Sequence, residues 1–344
     1  MKVLVTGSRG YIGSVLAPVL KDVGHDVIGL DTCYYEGCDF GPEVGSVESL
    51  VGDVRDIAAD RLVGFDAIVH LAALSNDPLG DFAPELTYDI NLNGTLALAR
   101  AAREAGVRRF VFASSCSMYG ASGTDALLDE SSPLRPVTPY AESKVRAEEG
   151  LFALSSEDFC VVSMRNATVY GSSPRLRLDI VLNNLAGWAH TTGRIRLLSD
   201  GSSWRPMVHV RDLTAVAAEL LVAPEALIRG HAFNVGSAEQ NYTIRDLAEV
   251  LARVTGCETD IAGEATADPR SYRVDFSKLE RTFPTISFEW NARRGAVELL
   301  EGYRSYGLTT EQFEGDSYVR LRRLRRLIDD RRLDAELRWA ATGT

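Results

Sequence analysis

Five short apolar runs, KVLVTG, DVIGLD, AIVHLAA, RFVFASS and CVVSMRNATVYG, alternate with segments of helical pattern such as YIGSVLAPVLKDVG and NGTLALARAAREAG. Strands separated by amphipathic helices form right-handed βαβ units, and such units require a parallel sheet covered by helices on both faces. The expected fold class is therefore α/β, a doubly wound parallel sheet spanning residues 1–169. After Gly171 the pattern loosens into short strands and one helix rich in Arg, Asn and Gly, which reads as a smaller lobe over 170–205 and 236–315. Between these segments the chain returns to the sheet, at about 206–235, through AFNVGS. In YTIRDLAEVLARVTG, Thr243 is placed to cap a helix. Residues 316–344 form an Arg-rich helical extension, with Leu321, Leu324 and Ile328 at helical spacing. It is expected to lie on the protein as an amphipathic helix.

Composition narrows the partners. With 344 residues, 45% of them hydrophobic, the chain can bury a full core, and its formal net charge of -11 disfavours a nucleic-acid partner. Cys33, Cys38, Cys116, Cys160 and Cys257 are odd in number and scattered, with neither metal-ligand spacing nor the density of a disulfide scaffold, so no metal site is expected. A reducing cytoplasm suits them. MKVLVTGSRG enters a strand directly, and nowhere do about eighteen apolar residues run together, so neither a signal peptide nor a membrane span is expected.

Between the first strand and the first helix, VTGSRGYIG places Gly7, Gly10 and Gly13. Such a turn lets the backbone approach a pyrophosphate whose charge sits on the helix's first N–H groups, with Tyr11 and Ile12 beside it. Asp31 closes the second strand about twenty residues on, where a carboxylate accepts both ribose hydroxyls of an adenosine and repels a 2′-phosphate. NAD is the expected cofactor, and residues 1–169 read as a Rossmann-type domain that binds it.

TPYAESKVRAEE holds Tyr140 and Lys144 four apart, on one face of a helix. An ammonium near a phenol favours the phenolate, and the positive ring of oxidised NAD favours it further, which makes a base of the tyrosine. About twenty-five residues earlier, SSCSMYG brings Ser114, Ser115, Cys116 and Ser117 to the end of a buried strand, where open α/β sheets bind their ligands.

The series TGSRGYIG, GDVRD, VHLAA, NLNGT, SSCSMYG, YAESK, VYG, WRPMVHVRDL and NVGS, in this order, resembles the extended short-chain dehydrogenase/reductases. Within them it resembles the sugar-nucleotide epimerases typified by UDP-galactose 4-epimerase, to about residue 310. The resemblance implies Tyr140 as acid/base, Lys144 on the nicotinamide ribose and Ser115 on the reacting sugar oxygen. It implies Asp53 and Val54 at the adenine, Leu71, Ala72 and Ala73 along the pyrophosphate and ribose path, and Asn91 and Ser114 at the cofactor. Ser115, Cys116, Ser117, Tyr140, Asn166, Thr168, Asn183, Arg205 and Arg270 are the candidates for a nucleotide-diphosphate sugar, Arg forks suiting its phosphates. Related 4,6-dehydratases carry Asp-Glu after the serine, to protonate a leaving hydroxyl and remove a proton. Cys116 and Ser117 stand there instead, so the expected reaction is epimerisation at C4 through a 4-keto intermediate, with ketoreduction, decarboxylation or dehydration, or a non-catalytic NAD-binding scaffold, as alternatives. PRLRLD departs from the pattern by pairing Arg175 with Arg177. By the same resemblance, helices around Asn93 to Arg103 and Tyr140 to Leu151 are expected to pair in a homodimer.

Overall fold

The computed structural model describes residues 1–41, 47–120, 127–261 and 271–340. In chain order its strands begin with β1 (Lys2–Thr6), β2 (Asp26–Asp31), β3 (Glu48–Val51), β4 (Ala67–His70), β5 (Arg109–Ser115), β6 (Leu127–Leu128) and β7 (Cys160–Asn166). They continue with β8 (Thr168–Tyr170), β9 (Arg194–Leu197), β10 (Trp204–His209), β11 (His231–Val235), β12 (Asn241–Thr243), β13 (Glu258–Ile261) and β14 (Arg273–Val274).

Seven strands form one parallel sheet in the order β11-β7-β5-β4-β1-β2-β3. Every residue of β4 and of β7 is buried, as apolar runs covered on both faces should be. On one face, Leu16, Ala17 and Leu20 of helix Gly13–Asp22 pack with Leu213, Val216 and Leu220 of helix Val210–Val222. On the other, Leu98, Ala99 and Ala102 of helix Thr95–Glu104 meet Ala147 and Leu151 of helix Pro139–Leu154. From β1 the chain runs outward to β2 and β3, then crosses back to β4 on the opposite side. This reversal opens a crevice at the carboxyl ends of β1 and β4.

The second lobe is built from β8, β10 and β12 with helices Val181–Thr192, Ile244–Thr255 and Ala292–Ser305 around Leu182, Ile195, Met207, Leu247, Leu299 and Tyr303. Its boundary differs from the expected one. CVVSMRNATVYG is two strands, divided at Ala167, whose N–H donates to the Val235 carbonyl while β8 leaves to pair with β10. Trp204–His209 therefore belongs to the small sheet, and the return to the central sheet is made by β11. Helix Arg320–Asp329 buries Leu324 and Leu327 against Tyr34, Leu74, Leu79 and Ile90, over the loops that follow β2 and β4.

Candidate active site

A cleft of about 620 Å³ follows the carboxyl ends of β1, β4 and β5, with walls from both lobes. At its floor Gly7 adopts φ +70°, and a Cβ there would lie 2.9 Å from the Ala72 nitrogen. A Cβ on Gly13 would stand 2.1 Å from the Gly7 carbonyl oxygen, so the turn closes this tightly only with glycine. The start of helix Gly13–Asp22 is thereby brought to the cleft, beside Gly10, Tyr11 and Ile12. Asp31 ends β2 with its carboxylate accepting from the N–H groups of Arg9 (2.9 Å) and Cys33 (2.7 Å). Burial raises its pKa against the pull of those two donors. Asp53, Val54, Leu71, Ala72, Ala73 and Ser114 complete this half. A glycine cradle that a Cβ would fill, an acid at the ribose position and a trough running on to Tyr140 fit a dinucleotide, held with its diphosphate at the turn.

At the other end, Ser115 closes β5, and its hydroxyl accepts from the Ser117 N–H at 3.1 Å. Tyr140 sits in the first turn of helix Pro139–Leu154, whose cap Thr138 accepts from the Ala141 N–H (3.2 Å) and donates to Asp77 (2.5 Å). Burial pushes the Tyr140 phenol up to about 12, the Asp77 carboxylate adds to this, and hydrogen bonding with Ser115 and the charge of Arg177 pull it down. Lys144, one turn on, is 3% exposed. Its ammonium donates to the Ala113 carbonyl at 2.8 Å and lies 4.7 Å over the Phe112 ring and 6.0 Å from the centre of the Tyr140 ring. Burial lowers its pKa to about 7. Both groups are thus held near their neutral forms by the low-dielectric site, ready to respond to a charge brought in by a ligand.

Ser117 Oγ and Asn166 Oδ1 are buried and without a hydrogen-bond partner among the described residues, and both residues line the cleft with Thr168 and Arg205. Three expected ligand residues do not line it. The Cys116 thiol donates to the Arg165 carbonyl at 3.1 Å and faces the core, where burial raises its pKa. Asn91 clamps Leu74 through both its N–H (2.8 Å) and its carbonyl (3.1 Å), which shapes the loop after β4. Asn183 is fully buried and spends its amide on Gly171, Arg177 and Tyr11; its neighbour Asn184 reaches the cleft. Arg270 lies outside the described residues. Conversely, Asn76, Asp77, Asp179 and Arg320 line the cleft although no motif marked them, and Arg177 does so as half of the arginine pair in PRLRLD. Arg177 holds Asp179 at 2.9 Å and Ser75 at 3.1 Å, whereas Arg175 turns away to Asp39 at 2.9 Å. Among the described residues no group of three or more His, Cys, Asp or Glu could hold a metal, and no helix is long and apolar enough to cross a membrane.

A doubly wound sheet, a dinucleotide cradle at its switch point and a Ser-Tyr-Lys set at the far end define a nicotinamide-dependent enzyme of the extended short-chain dehydrogenase/reductase class. Its cofactor is NAD. The chain belongs to the NAD dependent epimerase/dehydratase family, which it matches over residues 3–236. It is 32% identical over 281 residues to the UDP-glucose 4-epimerase of Streptomyces lividans, an alignment covering 74% of this chain and 81% of that protein. Among solved structures it resembles MoeE5 in complex with UDP-glucuronic acid and NAD, with a TM-score of 0.76, 27% identity and coverage of 89% and 99%. It also resembles TunA, an NAD-dependent NDP-hexosamine 5,6-dehydratase, with a TM-score of 0.79, 25% identity and coverage of 88% and 98%.

Proposed function

We propose that the protein epimerises a nucleotide-diphosphate sugar at C4 through a transient 4-keto sugar. The observation that carries this reading is the end of β5: Ser115 and Ser117 offer hydroxyls to the cleft while Cys116 is turned into the core, so elimination lacks the carboxylate pair it needs beside the serine. NAD, when bound, supplies a reversible hydride acceptor for the carbinol carbon. Tyr140 takes the proton of the sugar hydroxyl as that carbon is oxidised, and Ser115 hydrogen-bonds the same oxygen. The positive charges that favour the phenolate are Arg177 and, with coenzyme in place, the oxidised nicotinamide. Lys144, held by the Ala113 carbonyl, presents its ammonium to the nicotinamide ribose. The ketone then turns over, the hydride it gave up comes back to its other face as Tyr140 returns the proton, and nothing is consumed. Such rotation requires the nucleotide diphosphate to be held by Arg205 and Asn184 while the sugar meets only small hydroxyl and amide groups, Ser117 and Asn166 among them.

A panel of nucleotide sugars incubated with the enzyme, with products resolved by NMR and mass spectrometry, tests this. The expected product has unchanged mass and inverted configuration at C4. A product lighter by water or carbon dioxide, or one formed only with net consumption of reduced coenzyme, would replace the reading with dehydration, decarboxylation or ketoreduction. The same proposal has the enzyme working in the cytoplasm as a homodimer. Helix Thr95–Glu104 carries the exposed Ala97 and helix Pro139–Leu154 the half-buried Val145, neither of them part of the core beneath, and sedimentation equilibrium reads the mass directly.

A further inference from the structure

We propose that Arg320, carried in by the C-terminal extension, binds a phosphate of NAD, and that this extension is a strap that keeps the coenzyme in place from one turnover to the next. Arg320 lies beyond the matched family segment of residues 3–236 and is the first residue of helix Arg320–Asp329. It is only 2% exposed, yet it lines the cleft. Its guanidinium lies 3.9 Å over the Tyr35 ring and donates through Nη2 to the Arg175 carbonyl at 3.0 Å. Nη1 is buried with no hydrogen-bond partner among the described residues. An arginine does not shed its charge in proteins, so a buried N–H fork left open marks a place for an anion.

The surroundings agree. Arg177 stands close enough to disfavour the charge on Arg320, and the nearby carboxylate of Asp179 is engaged by Arg177 (2.9 and 3.1 Å) and by Asn76 (2.8 Å). Two guanidiniums therefore share one carboxylate in the lining of the cleft that also holds the glycine turn, and a diphosphate supplies the missing negative charge. The rest of the extension grips the loops that follow β2 and β3, which border the adenosine end. Tyr34 donates to the Leu337 carbonyl (2.5 Å), the Trp339 indole to the Thr32 carbonyl (2.6 Å) and Arg55 to the Glu336 carbonyl (3.1 Å), while Arg338 pairs with Asp53 (3.1 Å) and with Asp56.

The test uses full-length protein stripped of nucleotide, with binding of NAD, ADP, adenosine and UDP measured by calorimetry. Arg320→Met should weaken NAD and ADP by about ten- to a hundredfold, the range of a lost charged hydrogen bond, and leave adenosine and UDP within about twofold. Arg320→Lys should recover part of the loss. Unchanged affinity for NAD and ADP overturns the assignment, as does an equal loss for adenosine, which would mean a packing role. A loss confined to UDP moves the guanidinium to the substrate. Trp339→Ala should speed NAD release several-fold, and an unchanged release rate removes the strap. The inference rests on NAD binding and not on the reaction proposed above, so products other than epimers leave these measurements standing.

Discussion

Lys144 is an ammonium almost without water, and its chemistry follows from that. Its folded pKa of about 7 lies below the ordinary 10.5, so between those values the unfolded chain holds a proton the folded one has lost. Stability of the coenzyme-free protein should therefore rise with pH through that window. Lys144→Met removes the titrating group: urea midpoints at pH 6.5 and pH 9 should show the wild type gaining about 2 kcal/mol relative to the variant. Parallel pH dependence in the two proteins would mean that burial does not neutralise this lysine. Tyr140→Phe keeps the ring and deletes the proton carrier, so turnover should fall by about 10²- to 10⁴-fold with NAD affinity preserved, as read by initial rates and calorimetry. The spacing of Tyr140 and Lys144 was legible because four residues is one helical turn, and the position of Ser115 because it ends an apolar run. The inward direction of Cys116 was not, since it depends on a short 3-10 turn at Cys116–Tyr119 set by the Ser115 cap. Asp77 reaches the cleft from the first turn of the short helix Asp77–Phe82 and Asp179 from a loop, and no periodicity describes either path.

The elements around the site are pinned by contacts that local patterns only half disclose. In the turn after β1, Gly7→Ala would force an L side chain to φ +70° and set its Cβ 2.9 Å from the Ala72 nitrogen. A loss of about 1–3 kcal/mol in stability is expected, with weakened NAD binding, measured by denaturant titration and calorimetry; wild-type values for both would mean the turn can relax. Helix Pro139–Leu154 is tied to β7 by a buried ion pair: Glu148 is 2.6 Å from Arg165 and also accepts from Ser163 at 2.5 Å. Arg165 in turn donates to Tyr119 (3.1 Å), whose hydroxyl donates to Asn234 at 2.7 Å, so helix, β7 and β11 share one polar network. Glu148→Ala strands that guanidinium and should cost about 3–5 kcal/mol by urea denaturation, whereas a loss under about 1 kcal/mol would show that water replaces the carboxylate. The glycine spacing and the TPYAESK helix start were readable as they stand. The break at Ala167 was not: Val161 to Val169 is one apolar-rich run in the sequence, and only the competing pairs with β11 and β10 divide it.

At the scale of the molecule, the two lobes have separate apolar cores, one on the face of the central sheet and one among helices Val181–Thr192, Ile244–Thr255 and Ala292–Ser305. Ile12 and Val169 pack against both cores and also line the cleft, so the lobes are joined along the wall of that cleft. This interleaving follows from a chain that leaves the sheet at β8 and returns at β11, an arrangement that alternating patterns mark in outline while leaving its boundaries open. Gly7, Asp31 and Asp53 line the cleft from the central-sheet side and Arg177 and Asp179 from the segment after β8, so a dinucleotide bound along it should couple the unfolding of the two lobes. A ligand at about a thousand times its dissociation constant adds about 4 kcal/mol to the folded state, which for a chain of this size is a rise of about 5–10 °C in the thermal midpoint. Calorimetric scans with and without excess NAD should show one transition moved upward as a whole. If instead one of two resolved transitions moved and the other stayed, the lobes would unfold independently and the wall at Ile12 and Val169 would carry no coupling; an unmoved trace would deny that the cleft binds the coenzyme across both lobes.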